Sequence, residues 1–249
     1  MDDLGIAWRA AELAVQALRT GQNDGRAVRR QAARDVTIEA DVLADRTIRE
    51  HLHRASPFPI LSEESRADGP AAEEPGYRWI VDPVDGSLNF LRGIPLACVS
   101  IALWRGMEPL VGVIRDLSRD ETFSGVVGRG AWLNGAPIRV SAAVERSRAV
   151  LCTGFPVRSD FSSGALVAFV EHAQAYQKVR ILGSAALSLA YVACGRADAY
   201  EERGIALWDV AAGIALVKAA GGEARYRAAE AGDLLDVTAG ATRLMPDSA

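Results

Sequence analysis

Two aspartates end the apolar stretch RWIVDPVDGSLNF, which runs from residue 78 to residue 90. Asp82 and Asp85 are separated only by a proline and a valine, so the backbone keeps their carboxylates close together. A strand end that needs only a turn can use Asn, Gly or Pro. Two carboxylates beside an apolar wall repel each other unless a positive charge lies between them. The pair therefore suggests a bound cation.

At two other places in the chain, acidic residues also come directly after an apolar segment or begin a helix. Glu63 and Glu64 end the segment FPILSEES, and Asp209 lies at the start of a helix predicted from Leu207 to Ala219. Each of these acids, like Asp85, has a purely structural alternative. The two glutamates could be solvated acids in a loop, and Asp209 could stabilise the start of its helix through the dipole. Asp85 could be the N-cap of a short helix. Taken together they favour a metal site, because carboxylate oxygens are the ligands that Mg²⁺ prefers.

The residues around the aspartate pair add further polar backbone groups. The proline fixes the turn and leaves the backbone carbonyl of Val84 free as another oxygen ligand. Gly86 and Ser87 begin a short predicted helix, whose amide N–H groups and dipole favour an anion such as phosphate. A metal beside such a helix start points to phosphoryl transfer.

Composition and charge exclude several other classes of function. The 249 residues carry a net charge of −4, so the chain has no basic surplus for a nucleic-acid partner. Its apolar runs are interrupted, for example by Arg105 and Lys218, and we expect no membrane partner. The N-terminal MDDLGIAW has acids where a secretory signal has basic residues. We therefore expect a cytoplasmic protein.

Cysteine and histidine offer no recognisable chemistry in this sequence. Cys98, Cys152 and Cys194 form no CxxC pair and lie among small apolar residues, which predicts buried core positions. The three histidines are scattered, and we interpret them as surface residues. A zinc site or a Cys or His nucleophile is therefore not expected.

The elements that must position the acids can be predicted from hydrophobic periodicity. Helical spacing appears over residues 4–18 and from Ala40 to Leu52. A series of strands with turn signals runs from Leu96 to Val140 and predicts an antiparallel sheet, whereas helices and strands alternate afterwards. We therefore predict two α/β halves that share an interface: residues 1–143 with the metal-binding motifs, and residues 144–249 with the last acid.

The stretches WIVDPVDGSLNF and WDVAAGIALVKAAGG closely resemble the paired signatures of the inositol monophosphatase-like family. Five further segments of the chain occur in the order typical of the family: SEES, GIPLACVSIAL, GRGAWLNGAPIRVS, TGFP and LGSAALSLAYVACGRADAYEE. The resemblance therefore covers nearly the whole chain. It implies an α/β (α+β) fold, the layered αβαβα sandwich of the inositol monophosphatase and fructose-1,6-bisphosphatase type. It also implies a homodimer and a place in the magnesium-dependent, often lithium-sensitive phosphatases.

The resemblance implies a set of metal ligands for two or three Mg²⁺ ions. Asp82 matches the aspartate that bridges two ions, and Asp85 and Asp209 match ligands of the second ion. Glu63 matches the first metal-binding glutamate, and the carbonyl of Val84 is the partner of Asp82.

The resemblance also implies catalytic roles for Asp41, Glu64 and Ser87. Ser87 stands where the family usually has threonine, and it keeps the hydroxyl that orients the attacking water. Asp41, in the segment DVTIEAD, is the acid expected to assist it, and Glu64 supports the site. Water would attack phosphorus in line, without a covalent enzyme intermediate.

The substrate-binding residues implied by the resemblance are Gly86, Ser87, Gly183, Ser184, Ala185 and Glu202. The first two hold the phosphate through their amides, and the others line the pocket for the alcohol, in the second half of the chain. A carboxylate such as Glu202 accepts hydrogen bonds from vicinal hydroxyls, although it could also end a strand in solvent. The expected substrate is a small phosphorylated polyol or sugar, an inositol or sugar monophosphate. The alternatives are a 3′-phosphoadenosine nucleotide, fructose 1,6-bisphosphate, or a non-catalytic regulatory binding protein on the same fold.

Overall fold

The computed structural model describes residues 2–20, 27–32, 35–65, 76–156, 159–229 and 234–245. Within these ranges the helices and strands form five layers in the order helix, sheet, helix, sheet, helix. This is the predicted layered αβαβα sandwich.

The first layer consists of two helices that precede the large sheet. They are α1 (Asp3–Thr20) and α2 (Glu39–Ala55), and each buries one apolar face against the sheet. Between them β1 (Val28–Ala32) and β2 (Asp35–Ile38) form a separate antiparallel pair. The chain thus enters α2 directly from β2, which places the first turn of α2 beside the site described below.

The second layer is a seven-stranded sheet in which sequence neighbours are also spatial neighbours. Its strands are β3 (Ile60–Ser62), β4 (Tyr77–Asp85), β5 (Cys98–Arg105), β6 (Glu108–Asp116), β7 (Thr122–Val126), β8 (Gly130–Leu133) and β9 (Ala136–Ile138). Only the β3–β4 pair is parallel. Helices cover both faces, so β5 is buried at nearly every position. The predicted turn between β8 and β9 is a two-residue turn in which Asn134 and Gly135 have φ of 50° and 82°.

The third layer lies between the two sheets and contains α5 (Ala185–Ala193) and α6 (Leu207–Ala219). Both helices are apolar nearly all round because they pack against a sheet on each side. Gly213 of α6 is a point of close approach, since a Cβ there would lie 2.3 Å from Cβ of Leu189 in α5. The apolar cluster around these helices contains residues from both predicted halves, which therefore share a core. The boundary between residues 143 and 144 stays a prediction.

The last two layers are a five-stranded sheet and one outer helix. The strands are β10 (Val150–Thr153), β11 (Lys178–Arg180), β12 (Ala199–Ala206), β13 (Glu223–Ala228) and β14 (Leu234–Gly240), in the order β11-β10-β12-β14-β13. The outer helix is α4 (Ser163–Gln174), and the short α3 (Ser87–Arg92) connects β4 to β5 in the large sheet. Single 3₁₀ turns lie at Arg146–Arg148 and Thr242–Leu244.

The structure confirms most of the predicted elements. Cys98 and Cys152 are buried and Cys194 is partly buried, all with free thiols. None of the helices in the described part of the chain is long and apolar enough to cross a bilayer. β1, β2 and β13 were not predicted from the sequence.

Candidate active site

Three acids from distant parts of the chain meet at one edge of the large sheet. β3 and β4 run parallel, so Glu63, directly after β3, lies beside the end of β4, which carries Asp82. Asp209 comes from the first turn of α6, which packs on the same sheet. One carboxylate oxygen from each of the three residues lies within 4.8 Å of the others. The structure thus brings these three predicted ligands together.

Burial and mutual repulsion make this group unfavourable without a counter-charge. Burial raises the pKa of Asp82 well above its ordinary value, and the negative charges of Glu63, Asp85 and Asp209 raise it further. Burial and the charge of Glu63 likewise raise the pKa of Asp209. Acids arranged in this way are typical of functional sites. Clustered carboxylate oxygens are the hard donors that suit Mg²⁺, so the residues fit the predicted metal.

Asp85 lies near this group but is anchored elsewhere. One extra residue between Asp82 and Asp85 forms a β-bulge in β4, so Asp85 pairs with Cys98 and turns toward α5. There its carboxylate accepts hydrogen bonds from the hydroxyl of Ser184 and the backbone N–H of Ala186. Burial raises the pKa of Asp85 to about 6, although these hydrogen bonds lower it. Among the described residues Asp85 is not a member of the three-acid group.

A hydroxyl and a carboxylate face each other near the three acids. Ser87 opens α3 after Gly86, whose φ of 89° only glycine adopts readily. The Oγ atom of Ser87 lies 2.8 Å from Oδ1 of Asp41 and 2.8 Å from the carbonyl oxygen of Val84. Oδ2 of Asp41 accepts the backbone N–H of Ile38 at 2.6 Å, which fixes the carboxylate at the start of α2. The structure therefore brings together the predicted Asp41, Ser87 and Val84.

The residues predicted to bind the alcohol lie on β12 of the five-stranded sheet and at the start of α5. Glu202 is on β12, and a Cβ at Gly154 would lie 2.6 Å from its Oε1, so glycine lets the carboxylate lie against the backbone. Burial raises the pKa of Glu202 to about 7, while the hydroxyl of Tyr200 lowers it. Gly183 is exposed, whereas Ser184 and Ala185 are buried.

Two further residues at this site are Glu64, which was predicted, and Asn89, which was not. Glu64 lies partly exposed in the turn after Glu63, and it is not among the three clustered acids. Nδ2 of Asn89 donates to the carbonyl oxygens of Leu96 at 2.8 Å and Leu182 at 2.9 Å, which joins α3 to the second half of the chain. The only sequence signal for Asn89 was its place in the same acidic stretch, four residues after Asp85.

Comparisons with known proteins show which proteins this chain resembles. The sequence profile described as the inositol monophosphatase family matches residues 2–245. An inositol-1-monophosphatase of Rhizobium meliloti is 41% identical over 194 residues, which cover 76% of this chain and 71% of the relative. A protein of Xylella fastidiosa named Nus factor SuhB is 44% identical over 190 residues, covering 76% of this chain and 68% of the relative.

The fold of this chain is also similar to that of solved structures. The inositol monophosphatase from Anabaena (Nostoc) superposes with a TM-score of 0.79 at 35% sequence identity. The superposition covers 96% of this chain and 90% of that chain. The likeness therefore extends over both halves of the fold.

Proposed function

We infer the chemistry of this site from one premise: the chain belongs to the inositol monophosphatase family and is a phosphoric monoester hydrolase. We propose that it uses two or three Mg²⁺ ions to hydrolyse a small phosphate monoester, an inositol or sugar monophosphate. The named activity of the Rhizobium meliloti relative supports the substrate class. The clustered carboxylate oxygens support the metal.

The metal ligands in this proposal are Glu63, Asp82, Asp85, Asp209 and the carbonyl oxygen of Val84. When bound, Mg²⁺ would acidify water and neutralise charge on the transferring phosphoryl group. The fold would hold these ligands in place on β4, in the first turn of α6 and directly after β3. Asp82 would be the central ligand of this set, as the family resemblance implies, and it is the most buried of these acids at 1% exposure.

The proton acceptor in this proposal is the pair formed by Ser87 and Asp41. The Ser87 hydroxyl donates toward Asp41, so its lone pairs can orient a water molecule for attack on phosphorus. The carboxylate of Asp41 holds the proton that the water gives up, with Glu64 as a supporting acid. The amides of Gly86 and Ser87 would contact the phosphate.

The alcohol half of the substrate is assigned to the pocket beside Glu202. A carboxylate there accepts hydrogen bonds from neighbouring hydroxyls, which suits a cyclitol or a sugar. Gly183, Ser184 and Ala185 stay predicted members of this pocket. Because the side chains of Ser184 and Ala185 are buried, contacts from these two residues would come from the backbone.

One observation carries the proposal: three carboxylates lie within 4.8 Å of one another, beside a hydroxyl and a carboxylate in hydrogen-bond contact. The test is phosphate release from inositol monophosphates, sugar monophosphates, fructose 1,6-bisphosphate and 3′-phosphoadenosine nucleotides. Each ester is assayed with Mg²⁺ and with EDTA, beside Asp82→Asn as the control. We expect Mg²⁺-dependent turnover of an inositol or sugar monophosphate that the control loses.

A regulatory function on the same fold is the second candidate. It is favoured by the name of the Xylella fastidiosa relative, a Nus factor, which describes that protein and not this one. The chain nevertheless keeps the acids that a non-catalytic role does not require. Absence of release from every ester in the panel, with Mg²⁺ bound, would transfer the weight to this candidate.

We also propose a homodimer, supported by the outer helix α4. No residue of α4 is buried, and its Val167 and Val170 are 57% and 50% exposed. Symmetric dimers are the commonest assemblies of soluble proteins, and a helix with exposed apolar side chains suits such an interface. Sedimentation should give a dimer that Val167→Glu dissociates, whereas Trp8→Glu, on α1, leaves it intact.

We propose the cytoplasm as the compartment of this protein. All three cysteines are free thiols, which agrees with a reducing environment. A fluorescent fusion of the chain, imaged in cells, tests this assignment.

A further inference from the structure

The carboxylate of Asp85 is held by the beginning of helix α5, in the other half of the chain. The hydroxyl of Ser184 donates to Oδ2 of Asp85 at 2.5 Å, and the backbone N–H of Ala186 donates to the same oxygen at 2.7 Å. Hydrogen bonds to an ionised acceptor are among the stronger ones in proteins. Oδ2 of Asp85 is therefore engaged by α5, and Oδ1, which accepts neither of these two hydrogen bonds, is the atom that the carboxylate can offer to a cation.

The direction of the Ser184 hydroxyl is fixed by its role as the N-cap of α5. Its Oγ accepts the backbone N–H of Leu187 at 3.2 Å, and its carbonyl oxygen accepts the hydroxyl of Ser188 at 2.7 Å. A serine hydroxyl has one proton, and the capping bond occupies a lone pair. The proton is thus available for Asp85. Ser184 is only 4% exposed, so this hydroxyl faces the acid and not the pocket.

The segment before Ser184 is attached to the first half by a second side chain. Nδ2 of Asn89 lies 2.9 Å from the carbonyl oxygen of Leu182 and 3.3 Å from that of Gly183. Gly183 has a φ of +73°, and a Cβ there would lie 3.0 Å from Nδ2 of Asn89. Glycine therefore permits the close contact that sets the position of Ser184 independently of Asp85.

We propose that Ser184 is a positioning residue for Asp85: with the N–H of Ala186 it holds Oδ2, so that Oδ1 is presented to the metal. This inference rests on the proposed metal site and assigns the serine to the metal, not to the alcohol. Residues that hydrogen-bond to metal ligands commonly tune metal affinity by about 10- to 100-fold. Removing the hydroxyl should thus weaken metal binding.

The test is a titration of the metal-free protein with Mn²⁺, in which electron paramagnetic resonance measures the free ion. We expect Ser184→Ala to weaken at least one class of Mn²⁺ site by about 10- to 100-fold, and Ser184→Thr, which keeps a hydroxyl, to retain wild-type binding. Ser184→Gly removes the hydroxyl but keeps a residue that is accepted at an N-cap, so it should behave like Ser184→Ala.

A matched control separates loss of the cap from loss of the contact with Asp85. Ser162 is the N-cap of α4, where its Oγ accepts the N–H of Ala165 at 3.3 Å. Ser162→Ala should leave Mn²⁺ binding unchanged. KM for the ester is measured at saturating metal in Ser184→Gly and in Ser162→Ala, and Ser162→Ala should keep the wild-type KM.

Each outcome decides one of two questions. The positioning role would be overturned by wild-type Mn²⁺ affinity in both Ser184→Ala and Ser184→Gly. A raised KM with unchanged Mn²⁺ affinity would overturn it too. Neither result would contradict the proposed phosphatase activity. Weakened Mn²⁺ binding in a protein that hydrolyses no ester of the panel would support the positioning role and sink the proposed substrate. Absence of Mn²⁺ binding by the wild type would overturn both.

Discussion

The hydroxyl oxygen of Ser87 lies 2.8 Å from Oδ1 of Asp41, although the two residues are 46 positions apart in the sequence. Asp41 cannot turn away, because its Oδ2 accepts the backbone N–H of Ile38 and the side chain is buried. Ser87 is fixed as well, since it is the first residue of α3. The pair is therefore preorganised before any ligand binds.

Removing either member of this pair should lower kcat. General acid–base groups contribute about 10²- to 10⁴-fold to rate, so we expect losses in that range for Ser87→Ala and Asp41→Asn. Ser87→Thr keeps the hydroxyl and should retain activity. Steady-state kinetics at saturating Mg²⁺ measures kcat and KM for each variant. Wild-type kcat in Ser87→Ala would rule out the assigned role.

Metal removal should make stability depend on pH in a defined direction. The folded-state pKa values of Asp82, Asp85 and Asp209 are raised, so without metal the native chain binds more protons than the unfolded chain. Stability then falls as pH rises. The loss begins near the unfolded pKa of about 4 and, for Asp85, continues through the folded value of about 6. Thermal unfolding in EDTA from pH 5 to pH 8 should show a falling Tm.

Magnesium should reverse this trend. The ion binds ionised carboxylates, so its stabilising effect grows with pH and reaches about 2.7 kcal/mol at a hundredfold excess over Kd. Asp82→Asn removes one buried charge and should flatten the pH dependence in EDTA. A Tm in EDTA that rises from pH 5 to pH 8 would contradict the assignment of these carboxylates as an uncompensated group.

The contact between α5 and α6 should not tolerate a single added methyl group. Gly213→Ala places a Cβ 2.3 Å from Leu189, and the resulting overpacking should cost about 1–3 kcal/mol of unfolding free energy, although alanine is the better helix former. Gly164 in α4 has no atom within 4 Å of its added Cβ. Gly164→Ala should therefore stabilise by about 0.5–1 kcal/mol. Urea unfolding of both variants measures the two effects, and equal values would refute the packing argument.

An ion pair remote from the site should contribute stability only above acid pH. Nη1 and Nη2 of Arg196 both donate to the carboxylate of Glu121, the first at 2.7 Å, and these bonds lower the pKa of Glu121. The contribution is present above the ordinary pKa of glutamate and is lost as pH falls through the lowered value. Because Arg196 is partly exposed and screened by water, Glu121→Gln should cost about 0.5–1 kcal/mol at pH 7. Denaturation at pH 3 should show a smaller difference.

The sequence allowed the acids and the antiparallel sheet to be predicted because both leave local signals. Asp82 and Asp85 directly follow an apolar run, and the strands from Leu96 onward are separated by turn residues. The strands β1 and β13 were missed because VRRQA and EARYRA have no apolar run to mark them. They form by pairing with β2 and β14, which no local pattern reveals.

Contacts across the two halves could not be predicted for a different reason. The hydrogen bond from Ser184 to Asp85 joins residues 99 positions apart, and it depends on a β-bulge that turns Asp85 away from the direction of Asp82. A serine before a helix is equally well explained as an N-cap. Residues 183–185 were predicted to line the substrate pocket, and only the fold shows that the hydroxyl of Ser184 reaches the carboxylate of Asp85.

The origin of Asp209 in α6 has a consequence for synthesis. A ribosome that has released residues 1–143 has supplied Glu63, Asp82 and Asp85, but the chain has neither Asp209 nor the α5 start that holds Asp85. The nascent first half also exposes the sheet face that α5 and α6 later cover. Assembly of the proposed metal site and burial of that face therefore come late and together, so an intact site reports that the chain has been made and folded at least through α6.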